Sequence, residues 1–253
     1  MKINIYKNKK ETSKEAALQA AFILNETIHR KGTATFIMAT GVSQLDFIDT
    51  LITESKIDWS KTKMFHLDEY INLSATHPAS FRKYLKEKFI SKVDQIQKIN
   101  LINGDAADPQ KECDRLNQIL KNEIVDIAFV GIGENGHLAF NDPPANFEIE
   151  DPFIIVNLDS QCRKQQVGEG WFESIKDVPQ QAISMSIQQI MKTKNIICTV
   201  PGERKAQAVK DCFGTNEISP NYPASILKKH KNCFVFLDYD SAKHLPNIPL
   251  GGI

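Results

Sequence analysis

The sequence lacks an excess of either charge, an apolar run of membrane length and an apolar leader. Lys and Arg together number 31, as do Asp and Glu, among 253 residues. Nucleic-acid-binding domains usually carry a basic excess or a basic stripe, so we expect no nucleic-acid partner. Because neither a span nor a leader is present, we expect no membrane partner and a cytoplasmic location.

The cysteines also lack the pattern of a disulfide framework or a structural zinc site. Their number is odd, they are widely spread and no CxxC pair occurs, which fits reduced thiols. Cys198 and Cys233 lie in apolar runs, so we expect them in the core. The five are Cys113, Cys162, Cys198, Cys212 and Cys233.

Apolar, β-rich runs alternate with helical patterns along the chain, and no linker or repeat interrupts them. Near-continuous apolar strands separated by helices are typical of a parallel sheet covered on both faces. We therefore predict one α/β domain over 1–253, with a Rossmann-like, doubly wound, mostly parallel sheet and helices on both faces. The predicted strands are 33–39, 62–67, 98–102, 125–131, 153–158, 195–200 and 232–237, and the predicted helices are 43–53, 78–93, 108–122, 182–193, 203–212 and 223–230.

Ligands of such sheets bind at the carboxyl ends of the strands, so the loops that follow strands are the candidate sites. The first is Thr40-Gly41-Val42-Ser43. Gly41 allows a tight turn, Ser43 can cap the next helix, and the free amides there favour an anion such as phosphate. A plain capped turn explains the same residues, and on this motif alone it is the simpler interpretation.

The second loop begins with two adjacent carboxylates, Asp68 and Glu69, at the end of a strand. A partly desolvated carboxylate can have a raised pKa and serve as a base. The alternative is that Asp68 caps the next turn and Glu69 is solvated; the residues leave the two interpretations even. His66 lies within the strand pattern, where a packed or hydrogen-bonded histidine is expected.

The third loop follows the strongest strand and carries Gly131, Gly133 and Gly136 in GxGxxG spacing. We do not interpret it as a dinucleotide site, because it lies past the middle of the chain and lacks the context of that motif. His137 beside Asp142 offers instead a titratable imidazole with a carboxylate to orient it, which is a pairing used in proton transfer.

Together these loops resemble the glucosamine-6-phosphate deaminase (isomerase) family over nearly the whole chain, and more loosely the 6-phosphogluconolactonases. The deaminase branch fits better, because lactonases resemble Asp-Glu-Arg where this chain has Asp68-Glu69-Tyr70. The motifs that carry the resemblance are Thr40-Gly41-x-Ser43, Leu67-Asp68-Glu69-Tyr70, His77-Pro78-Ala79-Ser80-Phe81, Gly131-Ile132-Gly133-x-Asn135-Gly136-His137-Leu138-Ala139-Phe140-Asn141-Asp142-Pro143, Pro201-Gly202-x-x-Lys205-Ala206 and Pro223-Ala224-Ser225-x-Leu227-x-x-His230.

The resemblance implies a mechanism. His137, oriented by Asp142 and helped by Asn135, moves the proton that opens the sugar ring. Asp68 then carries a proton from C2 to C1, an aldose–ketose isomerisation that releases the amino group as ammonia. Such a step needs a carboxylate over carbon, so we expect neither a metal nor a cofactor.

The implied substrate is a sugar phosphate, glucosamine 6-phosphate or an epimer. Its phosphate is expected on Thr40, Gly41 and Ser43, and on Lys205 near the start of a helix. Family deaminases carry an Asn-x-Arg-Phe-Phe-like stretch whose Arg grips the phosphate, and no Arg aligns with it here. Arg163 or its neighbour Lys164 could replace that Arg as the phosphate ligand. We choose Arg163, because Arg suits bidentate phosphate recognition better than Lys does.

Two further differences from the family pattern have consequences. Position 142 is Asp where family deaminases usually carry Glu, which changes the reach to His137. After Pro143 the regulated members carry a basic segment for an allosteric sugar phosphate, whereas this chain has the acidic segment from Pro144 to Asp151. We expect no such activation.

Two other functions are compatible with the residues. A sugar-phosphate lactone hydrolase would use His137 as the base for water and would not need Asp68 for a proton shuttle. A non-catalytic sugar-phosphate sensor would bind the ligand without chemistry. The sequence leaves the epimer and the oligomeric state open, with a homo-oligomer as one option.

Overall fold

The computed structural model describes residues 1–54 and 56–246, in which ten strands and eight helices follow one another. The strands are β1 (Lys2–Tyr6), β2 (Ala34–Met38), β3 (Thr62–His66), β4 (Asp68–Tyr70), β5 (Lys98–Asn100), β6 (Ile127–Val130), β7 (Phe153–Asn157), β8 (Gln181–Met185), β9 (Asn195–Val200) and β10 (Cys233–Asp238). The helices are α1 (Lys9–Lys31), α2 (Leu45–Thr53), α3 (Phe81–Lys88), α4 (Pro109–Leu120), α5 (Ser160–Gly168), α6 (Ile187–Met191), α7 (Ala206–Phe213) and α8 (Tyr239–Ala242).

Seven strands form the central sheet in the order β1-β10-β9-β6-β2-β3-β5. Every neighbouring pair in this sheet is parallel. The chain runs outward from β2 through β3 to β5, and then returns to place β6 on the other side of β2. The strand order therefore reverses between β2 and β6, which is where such sheets open a binding crevice.

Helices cover both faces of this sheet, because successive side chains of its buried strands point to opposite sides. Phe36 and Met38 of β2 pack with α1, α2 and α3 on one face. Ile37, between them, packs with α4, α6 and α7 on the other. The predicted doubly wound α/β fold is confirmed.

A second, three-stranded antiparallel sheet in the order β4-β8-β7 corrects part of the prediction. The predicted helix 182–193 is extended up to Met185 and helical only from Ile187. A short apolar run fits a buried strand as well as a helix, and here pairing with β4 and β7 on both sides decides. The predicted strand 153–158 exists as β7, but it lies in this small sheet.

The amino-terminal strand and helix carried no prediction. Helix α1 begins where the Asn8 side chain accepts a hydrogen bond from the Glu11 amide, and it ends at Gly32 in the left-handed region, with φ of 80°. The prediction of one domain over 1–253 includes residue 55 and residues 247–253, which lie outside the described residues, and it stays a prediction.

Candidate active site

Four neighbouring strands of the central sheet, β3, β2, β6 and β9, end at one cleft of about 590 Å³. The cleft lies over the point where the strand order reverses. Its wall includes all three loops singled out in the sequence and the residue Lys205 that follows β9. The lining residues are Ala39, Thr40, Gly41, Ser43, Leu67, Asp68, Phe81, Gly131, Ile132, Gly133, His137, Ala139, Phe140, Gln165, Gln166, Glu169, Trp171 and Lys205.

His137 is held in this wall by a carboxylate behind it. Its Nδ1 lies 3.0 Å from Oδ1 of Asp142, and its own amide donates to Asn135 Oδ1. The Asn135 amide group in turn donates to Asp142 Oδ1 at 2.9 Å. Burial alone would raise the pKa of Asp142. The hydrogen bond and charge interaction with the His137 side chain, together with the other hydrogen bonds, lower it below its usual value, so this carboxylate is ionised at neutral pH.

The glycines of the loop make room for the imidazole. A Cβ on Gly133 would lie 2.3 to 2.5 Å from the His137 ring atoms, so only glycine fits beneath the ring. Gly136 has φ of 83°, and the loop closes with Gly136 N donating to Gly133 O at 3.0 Å. The GxGxxG spacing thus serves to seat a histidine rather than a dinucleotide.

Helix α5 is fixed to the histidine loop through Asp159. The Asp159 amide donates to Asp142 Oδ2 at 3.0 Å, and its side chain caps α5 by accepting from Cys162 N. Gln165, one turn on, accepts from the amide of Glu134 at 2.9 Å. These contacts place one side of α5 along the cleft.

Asp68 is the first residue of β4, two positions after the end of β3, and it lines the cleft. It is only 7% exposed, and burial together with the neighbouring Glu69 raises the pKa of its carboxyl to about 8. A carboxyl with this pKa exchanges a proton near neutral pH, which suits a group that must take and return one. The structure therefore favours the interpretation of Asp68 as a base over that of a turn cap.

Glu69 is neither solvated nor in the cleft. It is fully buried and caps α3, accepting from Ser80 Oγ at 2.9 Å, from Arg82 N at 2.8 Å and from Phe81 N at 3.2 Å. The alternative in which Glu69 is solvated, which the sequence left open, is wrong, because its partners come from a helix that the neighbouring motif begins. His66 is packed as expected, with Nε2 accepting from Ile102 N.

Two loops with the same turn form the other end of the cleft. Gly41 and Gly202 have φ of 109° and 96°, and each leads into a 3₁₀ turn followed by a helix. Ser43 lies inside the first 3₁₀ turn and does not cap α2, because Gly41 is the N-cap of the 3₁₀ turn and Gln44 is the N-cap of α2. Lys205 ends the second turn directly before α7, and burial lowers the pKa of its ammonium while Glu169 and Glu134 act in the opposite direction.

Four lining residues were not predicted, although the same segment supplied Arg163 as the expected phosphate ligand. Gln165, Gln166, Glu169 and Trp171 lie on or just after α5, a helix that was not predicted. Its one local signal is Asp159 ahead of Ser160, a common helix start. Which of its residues face the cleft depends on the docking of α5.

Arg163, chosen as the substitute phosphate ligand, is turned away from the cleft. Its guanidinium donates to the carbonyl groups of Ile175 and Val178, the latter at 3.0 Å. It does not line the cleft. The guanidinium stabilises the loop after α5, and we remove Arg163 from the expected anion site.

His137, Asp142 and Cys162 each place one ligand atom within 4.8 Å of the others, a group that could hold a metal ion. Burial, with nearby Asp142 and Asp159, raises the pKa of the Cys162 thiol far above its usual range. The imidazole and the carboxylate are paired with each other. The arrangement of these three groups is therefore accounted for without a metal ion.

The sequence model of the family described as glucosamine-6-phosphate isomerases/6-phosphogluconolactonase matches residues 7–236. The chain belongs to this family. Its curated relatives include the glucosamine-6-phosphate deaminase of Clostridium novyi (strain NT), which is 37% identical over 250 residues, covering 97% of this chain and 100% of the relative. The glucosamine-6-phosphate deaminase of Streptococcus pyogenes serotype M1 is 36% identical, covering 89% and 93%.

Solved structures of the family show the same fold. A monomeric glucosamine-6-phosphate deaminase superposes with a TM-score of 0.86 at 32% identity, covering 96% of this chain and 100% of that chain. The 6-phosphogluconolactonase of Trypanosoma brucei superposes with a TM-score of 0.78 at 15% identity, covering 97% and 98%, and this likeness concerns the fold alone.

The remaining expectations concern the protein's location and its assembly. Among the described residues, no helix combines the length and apolar character needed to cross a membrane. The cytoplasmic location and the homo-oligomer both stay predictions.

Proposed function

We propose that this protein is an amino-sugar 6-phosphate deaminase/isomerase that converts glucosamine 6-phosphate, or an epimer, to a ketohexose 6-phosphate and ammonia. The observation that carries the proposal is one cleft that holds a buried carboxyl, Asp68, together with a carboxylate-oriented imidazole, His137. The identity to deaminases over nearly the whole chain supports the same activity.

His137 opens the sugar ring. The Asp142 carboxylate accepts from Nδ1, which leaves Nε2 as the nitrogen able to exchange a proton with the ring oxygen or the C1 hydroxyl. Asn135 does not line the cleft; it donates to Asp142 and accepts from the His137 backbone amide. Asn135 and Asp142 are therefore positioning residues, and the proton passes through His137.

Asp68 carries the proton that converts aldose to ketose. In its ionised form it removes the proton from C2 of the open-chain amino aldehyde while O1 takes a proton from solvent, which gives an enol-amine. Return of the carried proton to C1 gives an iminium ion at C2. Water hydrolyses this iminium ion to the ketone and ammonium, and ammonium returns one proton to solvent as it gives ammonia. Burial favours the protonated form of Asp68, so the carboxyl that has taken the proton is the stable one until it returns the proton.

The phosphate lies at the other end of the cleft, on Thr40, Gly41 and Ser43 and beside Lys205. The 3₁₀ turns after Gly41 and Gly202 present backbone amides there, and the Lys205 ammonium supplies the positive charge. The two ends of the cleft together fix C1 and C2 between His137 and Asp68.

An ammonia-release assay over hexosamine 6-phosphates tests the proposal, with a sugar-phosphate lactone as a second substrate and Asp68→Asn as the variant. We expect ammonia from at least one hexosamine phosphate and none from the variant. Release from no hexosamine phosphate would contradict the proposal.

Two further outcomes identify the other functions. Lactone hydrolysis that persists in Asp68→Asn indicates a hydrolase, which needs no C2 shuttle. Binding of the sugar phosphate without solvent exchange at C2 indicates a sensor.

A further inference from the structure

A carboxylate lies at the phosphate end of the cleft. Glu169 lines the cleft together with Gly41, Ser43 and Lys205. Two hydrogen bonds hold its side chain: Gln165 Nε2 donates to Oε1 at 2.7 Å, and Trp171 Nε1 donates to Oε2 at 3.2 Å. The carboxylate is thus fixed in place rather than free to turn into solvent.

Glu169 acts on both components of the anion subsite. Among nearby acidic groups it has the largest effect on Lys205, where its charge opposes the loss of the ammonium proton. It also contributes, after burial and Asp49, to the raised pKa of Tyr84, whose hydroxyl donates to the carbonyl group of Gly41 at 2.9 Å. Glu169 therefore lies close enough to Lys205 and to Tyr84 to act on both, in the cleft that Gly41 also lines.

The subsite has little positive charge to offset this carboxylate. Of the described residues that line the cleft, Lys205 is the one Lys or Arg. Arg204 beside it pairs with Glu134 at 2.7 Å, and the guanidinium of Arg163 contacts backbone carbonyl groups. A phosphate dianion in this subsite would gain one ammonium and face one carboxylate, and a like-charge contact costs binding free energy.

We propose that the anion subsite binds the substrate's phosphate together with one proton, which lies between a phosphate oxygen and Glu169. This inference rests on the proposed function, because it takes a phosphate monoester as the ligand. A phosphate that carries one proton donates to Glu169 through its P–OH group. Its other oxygens accept from Lys205 and from the amides after Gly41. Glu169 is then a specificity-determining residue that selects the monoanion.

Proton uptake on binding is the direct consequence. The second pKa of a phosphate monoester in solution is about 6, so at pH 8 the ester is almost entirely a dianion. Binding of the monoanion at that pH must take about one proton from the buffer for each phosphate bound. A subsite that accepts the dianion takes none.

Calorimetry with 2-amino-2-deoxyglucitol 6-phosphate measures this uptake, because the open-chain polyol cannot be turned over. Binding at pH 8 in two buffers of different ionisation enthalpy gives the number of protons taken up. We expect the native protein to take up about one proton more than Glu169→Gln. We also expect the variant to bind the analogue roughly tenfold more tightly at pH 8, because one like charge is gone.

Glu173→Gln is the matched control, since it removes the same charge from an exposed residue four positions along. Its proton uptake and affinity are expected to equal those of the native protein. A second probe, the 6-sulfate of the same polyol, carries one negative charge and no acidic proton. It therefore tests the repulsion by the Glu169 charge with a ligand that has no proton to donate. We expect it to bind Glu169→Gln better than the native protein.

Three results would overturn the inference. The first is equal proton uptake by the native protein and Glu169→Gln. The others are weaker binding of the analogue by the variant at pH 8, and no binding of the phosphate analogue to the native protein. Ammonia release by the native protein distinguishes the two proposals. With ammonia released and uptake unchanged in the variant, the activity stands and the role of Glu169 fails; with no ammonia released, the proposed function fails first.

Discussion

Oδ1 of Asp142 lies 3.0 Å from Nδ1 of His137, at ordinary hydrogen-bond distance although the family usually carries the longer Glu at this position. The same carboxylate also accepts from Asn135 at 2.9 Å and from the amide of Asp159 at 3.0 Å. The backbone of this loop thus brings the shorter side chain to its three partners, and position 142 is matched to aspartate.

Changing the length or the charge of residue 142 should lower activity. Asp142→Glu adds a methylene where three hydrogen bonds already fit. Asp142→Asn removes the negative charge and replaces one of the two accepting oxygens by an NH₂ group, although both oxygens have donors here. We expect kcat to fall roughly 100-fold or more for Asn, and by a smaller factor for Glu. Steady-state kinetics, with circular dichroism as the control for folding, check this; full activity of Asp142→Asn would show that His137 needs no carboxylate behind it.

Gly133→Ala should displace His137 without unfolding the protein. The added methyl group would lie 2.3 to 2.5 Å from the imidazole, so the ring must move, and a shift on the order of 1 Å can cost about 100-fold in rate. The control is Gly168→Ala, whose methyl group meets only the end of the Arg204 side chain, at 3.2 Å. Equal activity of the two variants would contradict this account of the loop.

The pH dependence should report on Asp68. Its pKa of about 8 lies above the ordinary carboxyl value of 3.8, because burial and Glu69 disfavour the ionised form. As a base it must be ionised, so kcat at saturating substrate should rise with pH up to about 8. This parameter is the one to measure, because kcat/KM also follows the second ionisation of the free substrate's phosphate, at about 6. A kcat that is flat between pH 6 and 8 would exclude Asp68 as that base.

The same raised pKa affects stability, with a definite sign. Below about pH 4 the carboxyl is protonated in both the folded and the unfolded chain, and its contribution is fully present. As the pH rises towards 8 the unfolded chain releases the proton while the folded protein keeps it, and this contribution is lost. Asp68→Asn should therefore gain stability relative to the native protein at pH 8 but not at pH 4, as measured by urea unfolding.

Removing Glu69 should destabilise the fold. Glu69→Ala leaves the start of α3 without its acceptor, and Arg82, whose Nε lies 3.4 Å from Glu69 Oε2, loses a buried charge partner. Breaking a buried pair typically costs about 3–5 kcal/mol. Glu87→Ala on the exposed side of α3 is the control and should change the free energy of unfolding by less than about 0.5 kcal/mol. Similar values for both variants in urea unfolding would contradict the buried role.

An N-acetylated amino-sugar phosphate should not activate the protein. Glu148, Glu150 and Asp151 are exposed after the histidine loop, and their charges repel a phosphate. Activity measured across a range of effector concentrations should stay constant, and a clear rise would contradict the prediction.

Some residues of the cleft could be predicted from the sequence and others could not. Thr40, Asp68 and His137 follow strands with strong apolar patterns, so their approach to one edge of the sheet followed from the topology. Arg163 and Glu169 lie on and just after a helix whose periodicity is weak. The sequence predicted Arg163 as the phosphate ligand. In the structure the Arg163 guanidinium donates to backbone carbonyl groups, and Glu169 lines the cleft instead.

The sequence by itself determined the α/β class, the family and the strand-end motifs, because buried strands and tight glycine turns are written in local residue patterns. Only the tertiary structure decided that Glu69 is a buried cap, that 181–185 is a strand and that Glu169 rather than Arg163 lines the cleft. Each of these depends on partners distant in the chain, since burial, strand pairing and the rotation of a docked helix are set by contacts that no local pattern contains.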